Sequence, residues 1–182
     1  MTKYFITFIV LILTLNASAQ DDQKTAISKL GPNPLFLIDS QIVKKSDLSK
    51  YSADSIATLQ ILYDSSATKL FGDIAKDGAV IIETRSFDRR KFISYFRKSS
   101  KSFDSLYSIT GNDQSFAYII NDKVQSGNYE GNLSAIGDEE FKGLEILTAE
   151  DLNKKYNVSD RKFGILIHAE APKDLYNADK KF

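Results

Sequence analysis

Three short apolar runs, Leu35-Phe36-Leu37-Ile38, Leu59-Gln60-Ile61-Leu62 and Ala79-Val80-Ile81-Ile82, limit what this chain can become. Each is rich in branched or aromatic side chains and is bounded by turn residues. A helix of ordinary length needs roughly 10–12 residues, so runs this short read as strands. The segments between them are polar with helical spacing, and the third run follows an Asp77-Gly78 turn. Strands alternating with short helices at this spacing predict an α+β unit, a small mixed sheet with short helices on one face.

Within this stretch the turns and caps can be placed. Gly31-Pro32-Asn33-Pro34 is a turn cluster whose prolines push their neighbours into extended geometry and block a helix. Asp39-Ser40 reads as a hairpin turn into Gln41-Ile42-Val43. Residues 46–58 (SDLSKYSADSIAT) read as short-helix material, with Ser52 or Asp54 capping a turn at Ser55 and with Leu48 and Ile56 facing the core. The second strand is expected over Leu59–Tyr63. Asp64 to Gly72 is a two-turn helix, capped by Asp64 or Ser65 and stopped at Gly72. Its Ala67, Leu70 and Phe71 share one face.

The same layout recurs further along. Phe116 to Asn121 parallels Leu35 to Asp39, Leu133 parallels Leu48, and Phe141 to Leu147 parallels Ile56 to Leu62. Leu152 to Asn157 parallels Ala67 to Gly72, and Phe163 to Ile167 parallels Asp77 to Ile82. Leu59 and Gly78 are 19 apart, Leu144 and Gly164 are 20 apart. Matched intervals of this kind predict an internal duplication, with units at 31–85 and 113–171. Residues 86–112 join them. Aromatics stand at 92, 95, 96, 103 and 107, while Arg89, Arg90, Lys91, Arg97 and Lys98 make the other face cationic. Such a helix could lie on a membrane or partner surface. Its short apolar stripe favours a connecting helix whose aromatic face packs on a sheet. Ser99-Ser100-Lys101-Ser102 is expected to end it, and Gly111-Asn112-Asp113 is a loop.

The N-terminus reads as an address. Lys3, the apolar Phe5–Leu15 and the small-x-small Ala17-Ser18-Ala19 form a signal peptide over 1–19, cut after Ala19. Residues 20–30 are a flexible lead-in and 172–182 a polar tail. The chain has no cysteine, which removes disulfides, thiol chemistry, cysteine-bound metal and the lipobox of a lipoprotein. Its 24 basic and 24 acidic residues balance, so nothing draws nucleic acid or an anionic membrane in bulk. A periplasmic or secreted protein with no membrane span after cleavage is expected.

Reactive chemistry finds little footing. Neither GxGxxG nor GxxxxGK[ST] occurs. His168 is the only histidine, and its place in ILIHAEA suits a structural hydrogen bond at a strand end. Asp73 and Asp77 lack the alternating ligands of a calcium loop and read as turn residues. Asp138-Glu139-Glu140 reads as the acidic first turn of a helix. Tyr118, Tyr129, Tyr156 and Tyr176 could line a binding surface. Catalytic, cofactor-binding and metal residues are all expected to be none.

Residues 34–84 resemble the plug domain of TonB-dependent outer-membrane receptors of the Bacteroidota type. The resemblance rests on PLFLIDS, DSIATLQIL, DSSAT, LFG and DGAVIIET, with Ser40 in place of the usual glycine and Phe71 in place of the usual tyrosine. No run of the tilted amphipathic strands that build a transmembrane barrel is evident. The resemblance therefore implies two plug-like repeats without the barrel. It implies a non-catalytic binding or adaptor module in the periplasm, working with an outer-membrane uptake or envelope system through a protein partner. The alternative is a periplasmic binder of a nutrient or glycan fragment. A third reading, a hydrolase using carboxylates or Ser/His168, has the least support.

Overall fold

The computed structural model describes residues 29–170. The signal peptide expected over 1–19, most of the 20–30 segment and the 172–182 tail lie outside the described residues. The chain divides into two compact units. Among the described residues, one comprises 29–52 together with Thr58–Ile82; the other comprises Ala53–Ala57 and 83–170. Each carries one four-stranded sheet, so the α+β class with two sheet units holds.

In the first unit β1 (Leu35–Ile38) and β2 (Gln41–Val43) form the expected hairpin. Asp39 and Ser40 both take positive φ, 50° and 67°. That is the turn whose twist matches the twist of paired strands, and short polar side chains tolerate it. β3 (Ile56–Leu62) leads into α1 (Asp64–Phe71), and β4 (Ala79–Thr84) returns parallel to β1 with Leu35 opposite Ala79 and Ile38 opposite Ile82. A parallel return needs a crossover, and α1 is part of it. The strand order is β2-β1-β4-β3. Ala67, Ala75 and Ala79 form a small buried core with Leu35, Leu62 and Phe71 around it.

Local chemistry moved several boundaries. Residues 46–58 make two 3-10 turns, Lys45–Lys50 and Ala53–Ser55, instead of one short helix. Asp47 accepts from the Lys44 amide at 3.1 Å and from Lys50 Nζ at 2.6 Å, which closes the first turn on itself. β-branched Ile56 and Thr58 suit extended backbone, so β3 starts three residues before Leu59. α1 is preceded by Tyr63 and has no side-chain cap at its start. Leu70, expected on the buried face, is 66% exposed; Ala67 and Phe71 do face the core.

The second unit repeats the order. It comprises α2 (Arg85–Ser99), α3 (Lys101–Thr110), β5 (Phe116–Ile120), β6 (Lys123–Val124), α4 (Glu130–Ser134), β7 (Phe141–Thr148), α5 (Ala149–Tyr156) and β8 (Phe163–Ala169). The strands run β6-β5-β8-β7. Asn121 and Asp122 take φ 46° and 67°, as Asp39 and Ser40 do. Ile120 stands opposite Ile167 as Ile38 stands opposite Ile82. The Asn121 amide donates to Ile167 O at 3.0 Å, the Asp39 amide to Ile82 O at 2.9 Å. α1 stops at Gly72 and α5 at Asn157, both at positive φ. The fourth residue of each helix, Ala67 and Leu152, is fully buried.

The register corrects one equivalence. Gly164 stands where Ala79 stands, one place away from Gly78. Gly78 is needed for its φ of 91°. Gly164 is needed for room, because a Cβ there would lie 2.7 Å from Leu152 Cδ2.

The segment expected as one connecting helix is two helices, and both belong to the second unit. Thr84 Oγ1 accepts from the Phe87 amide at 3.2 Å and caps α2. Ser100 leaves the helix, and its Oγ accepts from the Phe103 amide at 3.3 Å to start α3. The serines read as a terminator are therefore also a restart. As expected, the aromatic face packs on the sheet: Phe92 meets Tyr118 edge-on at 5.3 Å, and Phe103 meets Phe116 at 6.1 Å. On the opposite face Leu152 of α5 packs with Ala117, Ile119, Leu147 and Leu166. This sheet is covered on both faces, not one, which is why all five residues of β5 are buried. Asp138 to Glu140 is a turn ahead of β7, where Glu140 Oε2 accepts from the Gly137 amide at 3.0 Å; no helix follows it.

Candidate functional site

The most specific chemistry gathers around α2. The helix starts at its Thr84 cap, and Ser86, Arg89, Arg90, Ile93, Ser94 and Arg97 then recur at spacings of three and four. Such spacing puts them on one face. They line a cavity of about 460 Å³ with Tyr107 of α3 as a further wall. The basic residues read from the sequence do not act together. Lys91 turns away to Glu83, 2.8 Å from Oε1, and stands 3.6 Å from Asp88 Oδ1.

One edge of this groove is anchored by a polar network within the second unit. Arg89 donates from Nη1 to Asp113 Oδ2 at 2.7 Å, and from Nη2 to Tyr129 Oη and Glu130 Oε1 at 3.0 Å each. Arg85 donates from Nε to Glu130 Oε2 at 3.0 Å, and from Nη2 to Glu130 Oε1 at 3.2 Å and Gly127 O at 3.1 Å. The Tyr118 hydroxyl donates to Asp113 Oδ2 at 3.0 Å. Glu130 is 2% exposed. Burial would raise its carboxyl, but the hydrogen bonds from Arg85 and Arg89 outweigh that and hold it below the usual range. Burial, and then the Asp113 carboxylate, push the Tyr118 hydroxyl up. A carboxylate held low by two guanidinium groups is a poor proton acceptor near neutral pH, so this network suits a clamp better than a general base.

Glu83 behaves in the opposite way. Burial raises its carboxyl, the hydrogen bond from Lys91 works against that, and Asp88 raises it further. Two carboxyls thus stand beside the one Lys91 ammonium.

The residues singled out from sequence do not converge. His168 Nε2 lies 3.2 Å from Glu145 Oε1 on the exposed surface of the β7–β8 pair. Asp77 Oδ2 accepts from the Asn33 amide at 3.1 Å and its carbonyl from the Gly31 amide at 2.9 Å, tying the proline turn to the Asp77-Gly78 turn. Asp73 closes a 3-10 turn through its carbonyl. Tyr118 and Tyr129 pack together at 5.7 Å on one face of the second sheet. Tyr156 packs on the other face and donates to Asp122 at 2.6 Å, a bond that pushes its hydroxyl up to about 12. Tyr176 lies outside the described residues. Among the described residues no three histidine or carboxylate side chains gather as a metal site.

Sequence reasoning missed Arg85, Asp113 and Glu130. The arginine–carboxylate pairs they make are 24 to 45 residues apart, so no local spacing reports them. Glu130 sits in the polar run SGNYEGN, where a buried carboxylate looks like any solvated one.

The edges of the first sheet form a second feature. β2 and β3 are its outer strands. Ile42 on β2 is 63% exposed and Leu59 on β3 is 38% exposed. β3 reads IATLQIL and carries no charged residue. Edge strands are ordinarily blunted by charge, proline or shortness. The chain matches no protein-family model, no curated protein and no solved structure.

Proposed function

We propose that the chain is a non-catalytic, exported binding or adaptor module that takes an extended segment of an envelope protein onto the β3 edge of its first sheet. The observation that carries this is the seven-residue, uncharged outer strand with Leu59 exposed on it. The Ile56 carbonyl at the start of β3 accepts from Asn128 Nδ2 at 2.9 Å; an outer strand can add a further strand along its edge while pockets for alternate side chains select the segment. The resemblance of residues 34–84 to a receptor plug supplies the setting, an outer-membrane uptake or envelope system in the periplasm. Among the described residues no helix is long and apolar enough to cross a membrane.

The test uses a photo-crosslinking amino acid at position 59, with the exposed position 98 as control, in cells expressing the full chain. Crosslinking from 59 to an outer-membrane or periplasmic protein is expected, suppressed by an excess of unlabelled wild-type copy but not by a copy carrying Leu59→Lys. Equal products from both positions, or none from 59, would refute the reading.

A further inference from the structure

The groove on α2 has an internal order that the strand-addition reading does not use. Ser86, Arg90 and Ser94 are four apart in series and form one ridge; Arg89, Ile93 and Arg97 form the next. The first ridge sets two hydroxyls around one guanidinium, Ser86 Oγ lying 3.1 Å from Thr84 Oγ1. The second offers the buried Ile93 between two guanidinium groups, with the Tyr107 ring alongside.

Arg89 and Arg97 are already held in place, and Arg90 lies beside an aromatic ring. Arg89 is fixed by Asp113, Tyr129 and Glu130. Arg97 donates from Nε to Asp104 Oδ1 at 2.7 Å, and its Cζ lies 5.2 Å from the centre of the Tyr107 ring. Arg90 rests with Cζ 5.7 Å from the Phe87 ring and has no carboxylate partner among the described residues. Immobilised side chains lose little freedom when a ligand arrives. The exposed Arg90 guanidinium, 5.7 Å from the Phe87 ring and with no carboxylate partner among the described residues, suits a carboxylate or phosphate group. The groove volume of about 460 Å³ is that of a small-molecule site.

We propose that this groove binds a small organic anion with one carboxylate or phosphate head and a flat apolar body. The head sits on the Ser86-Arg90-Ser94 ridge, and the body covers Ile93 beside Tyr107. The site lies wholly within the second unit and stands or falls independently of the β3 edge.

The experiment titrates the full chain at about 0.15 M salt with phenyl phosphate, benzoate, inorganic phosphate and phenol, followed by amide chemical shifts. Phenyl phosphate and benzoate are expected to saturate shifts along α2 and Tyr107, with phosphate or phenol alone about tenfold weaker, because head and body each contribute. Arg90→Ala should weaken phenyl phosphate by about tenfold or more, and Arg90→Lys by less, since it keeps charge but not the fork. Lys98→Ala, on the same helix outside the groove, should stay within about twofold, because exposed charges are screened. Arg90 is exposed, so the variants should fold, as unchanged amide spectra would show. Equal affinity in Arg90→Ala, equal loss in Lys98→Ala, or phenol binding as well as phenyl phosphate overturns the proposal. Binding to vesicles of anionic lipid without binding to either free compound also overturns it, in favour of a membrane surface.

Discussion

Replacing Glu130 by Gln removes the charge at the centre of the α2 network while keeping its volume. Three hydrogen bonds from Arg85 and Arg89 end on this carboxylate. Each bond to a buried charge contributes about 1.5–3 kcal/mol. Breaking a buried ion pair by removing one partner costs about 3–5 kcal/mol. Both guanidinium groups keep about a third of their side-chain surface in water, 37% and 35%, and can recover part of the loss there. The expected destabilisation is therefore at the lower end, about 2–4 kcal/mol.

The loss should appear in the second unit as faster amide exchange through β5 and β8 and as a lower urea midpoint. With a urea slope of about 2 kcal/mol per molar, the midpoint should fall by about 1–2 M. The pH dependence has a definite sign. Glu130 has a lowered carboxyl, so its contribution is full above the unfolded value and disappears as pH falls through the folded one. The gap between wild type and Glu130→Gln should thus be constant near neutrality and shrink below about pH 4.3, the ordinary glutamate value. A gap under about 0.5 kcal/mol at pH 7, the level of an ordinary surface substitution, would show the network adds nothing to folding. A gap that persists unchanged into strong acid would show that charge is not the cause.

Two further outcomes follow from burial. Leu152→Ala empties a fully buried site against Gly164 and should cost about 2–5 kcal/mol by urea denaturation, while a loss under about 1 kcal/mol would mean that α5 does not hold the sheet. Glu83 has a raised carboxyl, so folding favours its protonated form, and its contribution is lost as pH rises through the folded value. Wild type should accordingly lose stability relative to Glu83→Gln between acid and neutral pH, and a difference of the opposite sign would refute the assignment.

Much of this fold was legible because its signals are local. Strands β1, β4 and β5 are apolar runs between turn residues, and the paired turn residues at 39–40 and 121–122 stand at their ends. The helix stops at Gly72 and Asn157 are equally local. The errors arose where a residue has two uses. Ser100 can end one helix and begin the next, and only tertiary packing of Phe103 decides. Leu70 has the spacing of a core residue, but α1 turns its narrow alanine face inward. The network of Arg85, Arg89, Asp113 and Glu130 joins segments distant in sequence, so its charges could not be told from solvent-facing ones.

The shared strand order has a consequence for how such a chain finds its own partners. Two copies of one topology in a single polypeptide invite exchange of equivalent pieces during folding. The contact between helix and sheet discourages it. In the first unit Ala67 faces a sheet position held by Ala79; in the second, Leu152 faces Gly164. Misplaced, α5 would drive its leucine against the Ala79 methyl, and α1 would leave a hole above Gly164. Each helix thus carries a size tag that only its own sheet accepts, so the divergence of the copies keeps them from trading parts.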